Sequence, residues 1–177
     1  TNLADLGAEI IKIEHPKGDV VRGLGQGDNS LWWSVVARNK KLVGVDVKKP
    51  EGADIVRRLL ATADVFIENF RPGRVKGWGL DYDTLRKVNP GLVMLHVSGY
   101  GQTGPYSERP GVGTLAEAFS GYAHVTGEPD GPPTLPSFPL ADGVAALTGT
   151  YAVLAALWAR DRNGGIGDEI DISLYEP

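Results

Sequence analysis

Short apolar runs alternate with amphipathic stretches along the first hundred residues. Ile10-Ile11-Lys12-Ile13-Glu14, residues 42–47, residues 65–69 and residues 92–97 each carry the β-branched and aliphatic content of a buried strand. Between them lie stretches with helical spacing. Pro50 stands at the first position of a helix over residues 51–60, whose apolar positions 55, 56, 59 and 60 recur at helical intervals. Leu3-Ala4-Asp5-Leu6 ends at Gly7, a C-terminal glycine stop. Residues 30–36 read as a helix around Trp32 and Trp33, with packing as the first role of the rings and an exposed ring at an interface as the second. Residues 82–88 form another helix, capped by Asp81 or Asp83 and closed by Asn89-Pro90-Gly91. Strand alternating with helix predicts βαβ units, and hence an α/β chain with a mostly parallel sheet.

After residue 97 the pattern changes to loops rich in Gly, Pro and Tyr, and then to one long helix over about residues 142–161. Gly164-Gly165-Ile166-Gly167 stops it, and Glu169-Ile170-Asp171-Ile172-Ser173 alternates as a further strand. From Gly143 to Ala159 the helix carries no charge, which puts it at the lower edge of a membrane span. Its Gly and Ala content and the polar remainder of the chain predict a buried core helix instead. No internal repeat or low-complexity segment interrupts the pattern.

Composition narrows the function classes. The chain has 177 residues, 42% of them hydrophobic, enough for a respectable core, and a net charge of −4 gives no basic field for nucleic acid. No cysteine is present, which excludes disulfides, a thiol nucleophile and Cys-ligated zinc, and fits a cytoplasmic protein. The chain opens at Thr1 and stops where Leu174-Tyr175-Glu176-Pro177 starts a helix, so both ends read as cut from a longer protein.

Asp142 is the only charged residue between Asp130 and Arg160, at the junction of a Pro-rich loop and the apolar helix. Two readings are open for it. As an N-cap it would accept backbone N–H bonds at the helix start. As a nucleophile it would be kept ionised by those same donors inside a pocket.

Ligands of an open parallel sheet bind beyond the carboxyl ends of the strands. That rim holds Glu14-His15, Asp46-Val47-Lys48, Asn69-Phe70-Arg71 and Ser98-Gly99-Tyr100, a mixture of cations, an amide and aromatic rings suited to a phosphate-bearing ligand with an aromatic base. Gly23-Leu24-Gly25-Gln26-Gly27 lacks dinucleotide-binding spacing and reads as an ordinary loop. No Walker A sequence or G-x-S-x-G elbow exists. His15, His96 and His124 have no metal-ligand spacing, and His96 reads as a satisfied core residue.

Several segments taken in order carry a resemblance. They are Asp5-Leu6-Gly7-Ala8-Glu9 with the strand that follows, Arg38-Asn39-Lys40-Lys41, Asp46-Val47-Lys48-Lys49-Pro50-Glu51-Gly52, Glu68-Asn69-Phe70-Arg71-Pro72-Gly73, Ser98-Gly99-Tyr100-Gly101-Gln102-Thr103-Gly104-Pro105-Tyr106, Arg109-Pro110-Gly111 and Gly164-Gly165-Ile166-Gly167. Together they resemble the family III coenzyme A transferases, which include formyl-CoA transferase, carnitine CoA-transferases and α-methylacyl-CoA racemase. The resemblance runs from end to end. It implies a Rossmann-like large domain of an interlocked homodimer, of which residues 1–177 would be the N-terminal part, without the first strand and the small domain.

The resemblance also implies a function and a site. Asp142 in Leu140-Ala141-Asp142-Gly143 falls on the family's catalytic aspartate, which attacks a thioester, becomes an aspartyl-CoA thioester and hands CoA to a carboxylic acid. CoA contacts carry over to His15, Val45, Lys48, Asn69, Phe70, Tyr100 and Arg109. Coenzyme A is then a substrate, with no separate cofactor, no nucleic-acid partner and no membrane. Two departures stand out. Gly77 occupies the place of a usual arginine, leaving Lys76 or Arg74 to supply its charge. Val112 occupies the place of the racemases' histidine, and His124 is no obvious substitute, which favours transfer over two-base epimerisation. An acyl-CoA racemase and a non-catalytic CoA- or nucleotide-binding module are the alternatives.

Overall fold

The computed structural model describes residues 1–24 and 30–177. They form two compact units, Thr1–Val56 and Arg57–Pro177.

In the first unit, α1 (Asn2–Asp5) ends through Gly7, whose φ of 98° is the left-handed stop the sequence predicts. β1 (Ile10–Glu14) pairs in parallel with β2 (Lys40–Gly44), with Ile10 opposite Lys40 and Glu14 opposite Gly44. A 3-10 turn (Val20–Gly23) is capped by Asp19, and α2 (Leu31–Ala37) is capped by Ser30 Oγ, which accepts the Trp33 amide at 3.1 Å. β2 ends earlier than the apolar run suggests. Asp46 folds the chain back: its side chain accepts the Lys48 amide and its carbonyl the Lys49 amide, both at 3.1 Å, so the strand stops at Gly44 and the chain turns at residues 47 and 48.

α3 (Pro50–Leu60) carries the chain out of the first unit, with Pro50 as its first residue. Its buried face is Ala53, Val56 and Leu60, while Ile55 and Leu59 are exposed, so the apolar stripe is rotated from the predicted one. Gly52 has a spatial reason, since a Cβ there would overlap the Asp46 carbonyl oxygen.

The second unit is built on β3 (Val65–Glu68), β4 (Val93–Ser98) and β5 (Glu169–Ser173), in the order β3-β4-β5 with both pairings parallel. The mostly parallel sheet of the sequence is therefore present as two parallel sheets. β4 is central and buried on both faces: Val93, Met94 and Leu95 are core, as expected for a covered parallel sheet, and each contributes roughly 1.5–3 kcal/mol. α4 (Arg74–Gly77) and α5 (Tyr82–Leu85) lie between β3 and β4, and Asp81 caps α5 by accepting the Thr84 amide.

α6 (Gly113–Phe119) and α7 (Tyr122–Thr126) form within the stretch the sequence reads as loop. α8 (Leu140–Arg162) then packs on β4, β5 and α6. Gly149 allows the approach: a Cβ there would stand 3.0 Å from Leu95 Cδ2. α8 is long and apolar enough to cross a membrane by length and composition. Yet it is a buried core helix along one face only, at Ala145, Gly149 and Val153, while Leu147, Tyr151, Leu154 and Trp158 are exposed in this chain.

Candidate active site

The carboxyl ends of β3, β4 and β5 share one edge of the second unit, and a cavity of about 370 Å³ opens there. Asn69, Phe70 and Arg71 enter it from the loop after β3, and Ser98 and Gly99 from the end of β4. Arg109 to Gly113 line it from the segment before α6, and Asp142 from α8. Gly99 and Gly111 cross in direct backbone contact.

Four of the predicted residues, Asn69, Phe70, Arg109 and Asp142, thus line one cavity. Asp142 is not an N-cap. α8 begins two residues earlier, with Pro139 in the capping position, and Asp142 stands in the first turn. The acceptor that satisfies this helix start comes from elsewhere: Glu117 Oε1 on α6 accepts the Ala141 amide at 3.0 Å.

The surroundings of Asp142 disfavour its charged form, where the sequence suggests donors that favour it. Its side chain is open to solvent on one side, yet its pKa is raised above the ordinary aspartate value. Desolvation by the surrounding walls is the larger cause and the charge of Glu117 the second, with its own backbone N–H acting in the opposite direction. The carboxyl lies against the start of α6, where a Cβ on Gly113 would overlap Asp142 Oδ2. Only glycine leaves room for it.

The loop bearing Asn69 and Phe70 is held from beneath. Glu68 Oε2 accepts the Phe70 amide at 2.7 Å, while Glu68 Oε1 lies 2.5 Å from His96 Nδ1. His96 Nε2 meets Glu169 Oε1 at 2.9 Å, so one buried imidazole ties β3, β4 and β5 together. Burial opposes a charge on His96, but hydrogen bonds to Glu68 and Glu169 outweigh it, and the pKa is raised. This bears out His96 as a satisfied core residue. Neither Glu117 nor the Glu68 and Glu169 pairing was read from the sequence. Glu117 carried the same signal as Asp142, being the only Asp, Glu, Lys or Arg between Arg109 and Glu128.

The other predicted contacts lie outside the cavity lining. Tyr100 belongs to an aromatic cluster, its ring centroid 5.7 Å from Tyr106 and 5.8 Å from Phe119. Arg109 reaches the same cluster, stacking 4.0 Å above the Tyr106 ring. Phe70 meets Trp78 edge to face at 4.9 Å. In the first unit His15 is exposed, with Nδ1 accepting the Lys17 amide; Val45 is buried next to the end of β2, and Lys48 is exposed in the turn that follows. Val112 lines the cavity, and His124 is exposed on α7 and does not line it. Gly25, Gln26 and Gly27 of the Gly-rich loop lie outside the described residues.

The family model of CoA-transferase family III matches residues 1–177. A succinyl-CoA–D-citramalate CoA-transferase of Chloroflexus aurantiacus is 46% identical over 98% of this chain and 44% of its own length. A succinyl-CoA:glutarate CoA-transferase of Mus musculus is 42% identical over 92% of this chain and 38% of its own. The crystal structure of a CAIB/BAIF family protein from Brucella suis superposes with a TM-score of 0.93 at 38% identity, covering 98% of this chain and 48% of that one. The chain spans less than half the length of these relatives.

Proposed function

Because the chain belongs to CoA-transferase family III, we propose that the whole protein moves coenzyme A from an acyl-CoA to a free carboxylic acid, with Asp142 as the nucleophile. One observation carries this reading: Asp142 stands in a cavity with Asn69, Phe70 and Arg109, at the shared carboxyl edge of three parallel strands. In the first step a carboxylate oxygen of Asp142 bonds to the thioester carbonyl carbon, the C–S bond breaks, and CoA leaves as thiolate. The thiolate then bonds to Asp142 Cγ, the acyl group leaves as its carboxylate, and an aspartyl-CoA thioester remains. An incoming carboxylate reverses both steps. A carboxylate is a weak nucleophile, so placement within attack distance supplies much of the rate.

CoA meets Asn69, Phe70 and Arg109 in this reading, with His15, Val45, Lys48 and Tyr100 as further contacts. The cavity also holds Arg71. That second cation suits a second carboxylate on the acyl group, and the relatives named for succinyl-CoA support a dicarboxylic substrate. Val112 in place of a histidine removes the second base that epimerisation needs, which supports transfer over racemisation. The reading includes a cytoplasmic homodimer, which localisation of the tagged protein and light scattering on the whole protein test.

The decisive experiment is trapping. The whole protein is incubated with succinyl-CoA, quenched with hydroxylamine or borohydride, and the modified peptide is mapped. Modification at Asp142 is expected. An unmodified Asp142 together with deuterium exchange at the substrate α-carbon would establish the racemase instead.

A further inference from the structure

Gly113 and Glu117 are four residues apart on α6 and therefore face the same way, toward the start of α8. Gly113 touches the Asp142 carboxyl and Glu117 holds the Ala141 amide, so two carboxylates of different helices converge on one helix start. Glu117 is only 4% exposed, and among the described residues it pairs with no cation. A buried, unpaired carboxylate is costly to keep.

We propose that Glu117 poises Asp142: it is a fixed anion that disfavours a second negative charge at this helix start and is relieved whenever Asp142 becomes an uncharged adduct. This rests on the nucleophile reading above. Asp142 carries its charge only as the free carboxylate. Once its oxygen has bonded to the acyl carbon, or its Cγ to the CoA sulfur, the side chain is neutral and the repulsion from Glu117 is gone. The nearby anion thus raises the free enzyme relative to both covalent states. Glu117 acts through Asp142 and is a positioning residue. Burial and the Glu117 charge are also the two causes that raise the Asp142 pKa. Glu117 itself lies behind the cavity lining; the charged groups that line the cavity with Asp142 are Arg71 and Arg109, and neither forms an ion pair with Asp142 or Glu117 among the described residues.

The test uses the whole protein with Glu117→Gln, which keeps an oxygen for the Ala141 amide but removes the charge, and Glu117→Asp, which keeps the charge. Two quantities are read: the acid limb of the pH profile of CoA release in the first half-reaction, and the fraction of covalent enzyme by intact mass at a fixed ratio of acyl-CoA to free acid. Glu117→Gln is expected to move the limb to lower pH and to lower the ratio of adduct to free enzyme by about threefold or more. Glu117→Asp should keep the limb near that of the wild type. An unchanged limb and adduct fraction in a folded Glu117→Gln variant overturn the proposal. Should that variant not fold, carbon-13 NMR of labelled aspartate compares the wild type with Glu117→Ala, with Asp142 assigned by its absence from Asp142→Asn. A lower Asp142 titration in Glu117→Ala is the expected result, and an equal titration in the two overturns the proposal. A wild type that forms no Asp142 adduct overturns the nucleophile reading alone, because the NMR titration still reports whether the carboxyl is poised.

Discussion

Gly99 and Gly111 meet backbone to backbone, and a Cβ on either would overlap the Cα of the other. The reason is space, not torsion, since neither residue has a positive φ. The crossing joins the end of β4 to the segment before α6 and forms one wall of the cavity. Gly111→Ala should therefore push the wall apart, at a cost of about 1–3 kcal/mol for overpacking. A lower Tm together with a raised KM for the acyl-CoA is the expected outcome, measured on the whole protein by calorimetry and steady-state kinetics. Unchanged values of both would show that the crossing is looser in solution.

Asp142 separates catalysis from stability. Asp142→Asn should lower kcat by about 10³-fold or more, because no neighbouring group replaces the nucleophile. Its stability should respond in the other direction. A carboxyl whose pKa is raised on folding binds its proton more tightly in the native state, so that contribution is complete below the ordinary aspartate pKa and is lost as pH rises through the native one. At neutral pH the ionised group is thus a burden, and Asp142→Asn should leave Tm unchanged or raise it. A loss of about 1 kcal/mol in Asp142→Ala would instead mark Asp142 as a helix cap. Thermal melts at two pH values distinguish the two.

His96 gives the second unit its pH dependence. Its pKa is raised, so folding favours the protonated imidazole between Glu68 and Glu169. The stability this contributes is fully present below pH of about 6.5 and is lost as pH climbs through the higher native value. Urea midpoints should fall across that window in the wild type and lose this slope in His96→Gln. Glu68→Ala should cost about 1–3 kcal/mol, since it leaves His96 Nδ1 and the Phe70 amide without their acceptor while Glu169 still holds Nε2. A flat urea profile in the wild type would contradict the assignment.

The fold was legible where a local pattern decides it. β1 and β5 run over the residues their alternation predicts, and β3 and β4 agree to within a residue at either end. β2 shifted because the Asp46 side chain turned the end of an apolar run into a loop, a competition that hydrophobicity does not register. α6 and α7 were missed because each is short and starts next to glycine, so a helix of barely two turns looked like loop. The site was half legible for a similar reason. A lone carboxylate in an apolar stretch marks itself, which gave Asp142 and could have given Glu117. The partners of His96 could not be read that way, since they come from the two strands that the sheet register sets on either side of β4: Glu68 lies opposite His96 in β3, and Glu169 comes from β5.

Among the described residues Arg109 ends in a stack rather than an ion pair, and that choice can be tested. Its guanidinium lies 4.0 Å above Tyr106, whose ring meets Phe119 edge to face at 5.7 Å, so the cation is aimed by an aromatic support. A planar guanidinium on a ring keeps its outer N–H groups free for a phosphate, and lysine cannot reproduce that geometry. Arg109→Lys should raise KM for the acyl-CoA about fivefold through loss of the stack, with little change in kcat. Arg109→Met should raise it about ten- to hundredfold through loss of the charge-assisted contact. Added salt should weaken binding in the wild type more than in Arg109→Met, because only the wild type has this charge to screen. Equal KM values for wild type and Arg109→Lys would leave the Tyr106 stack without a part in aiming the cation, and equal salt slopes for wild type and Arg109→Met would remove Arg109 from the CoA contacts altogether.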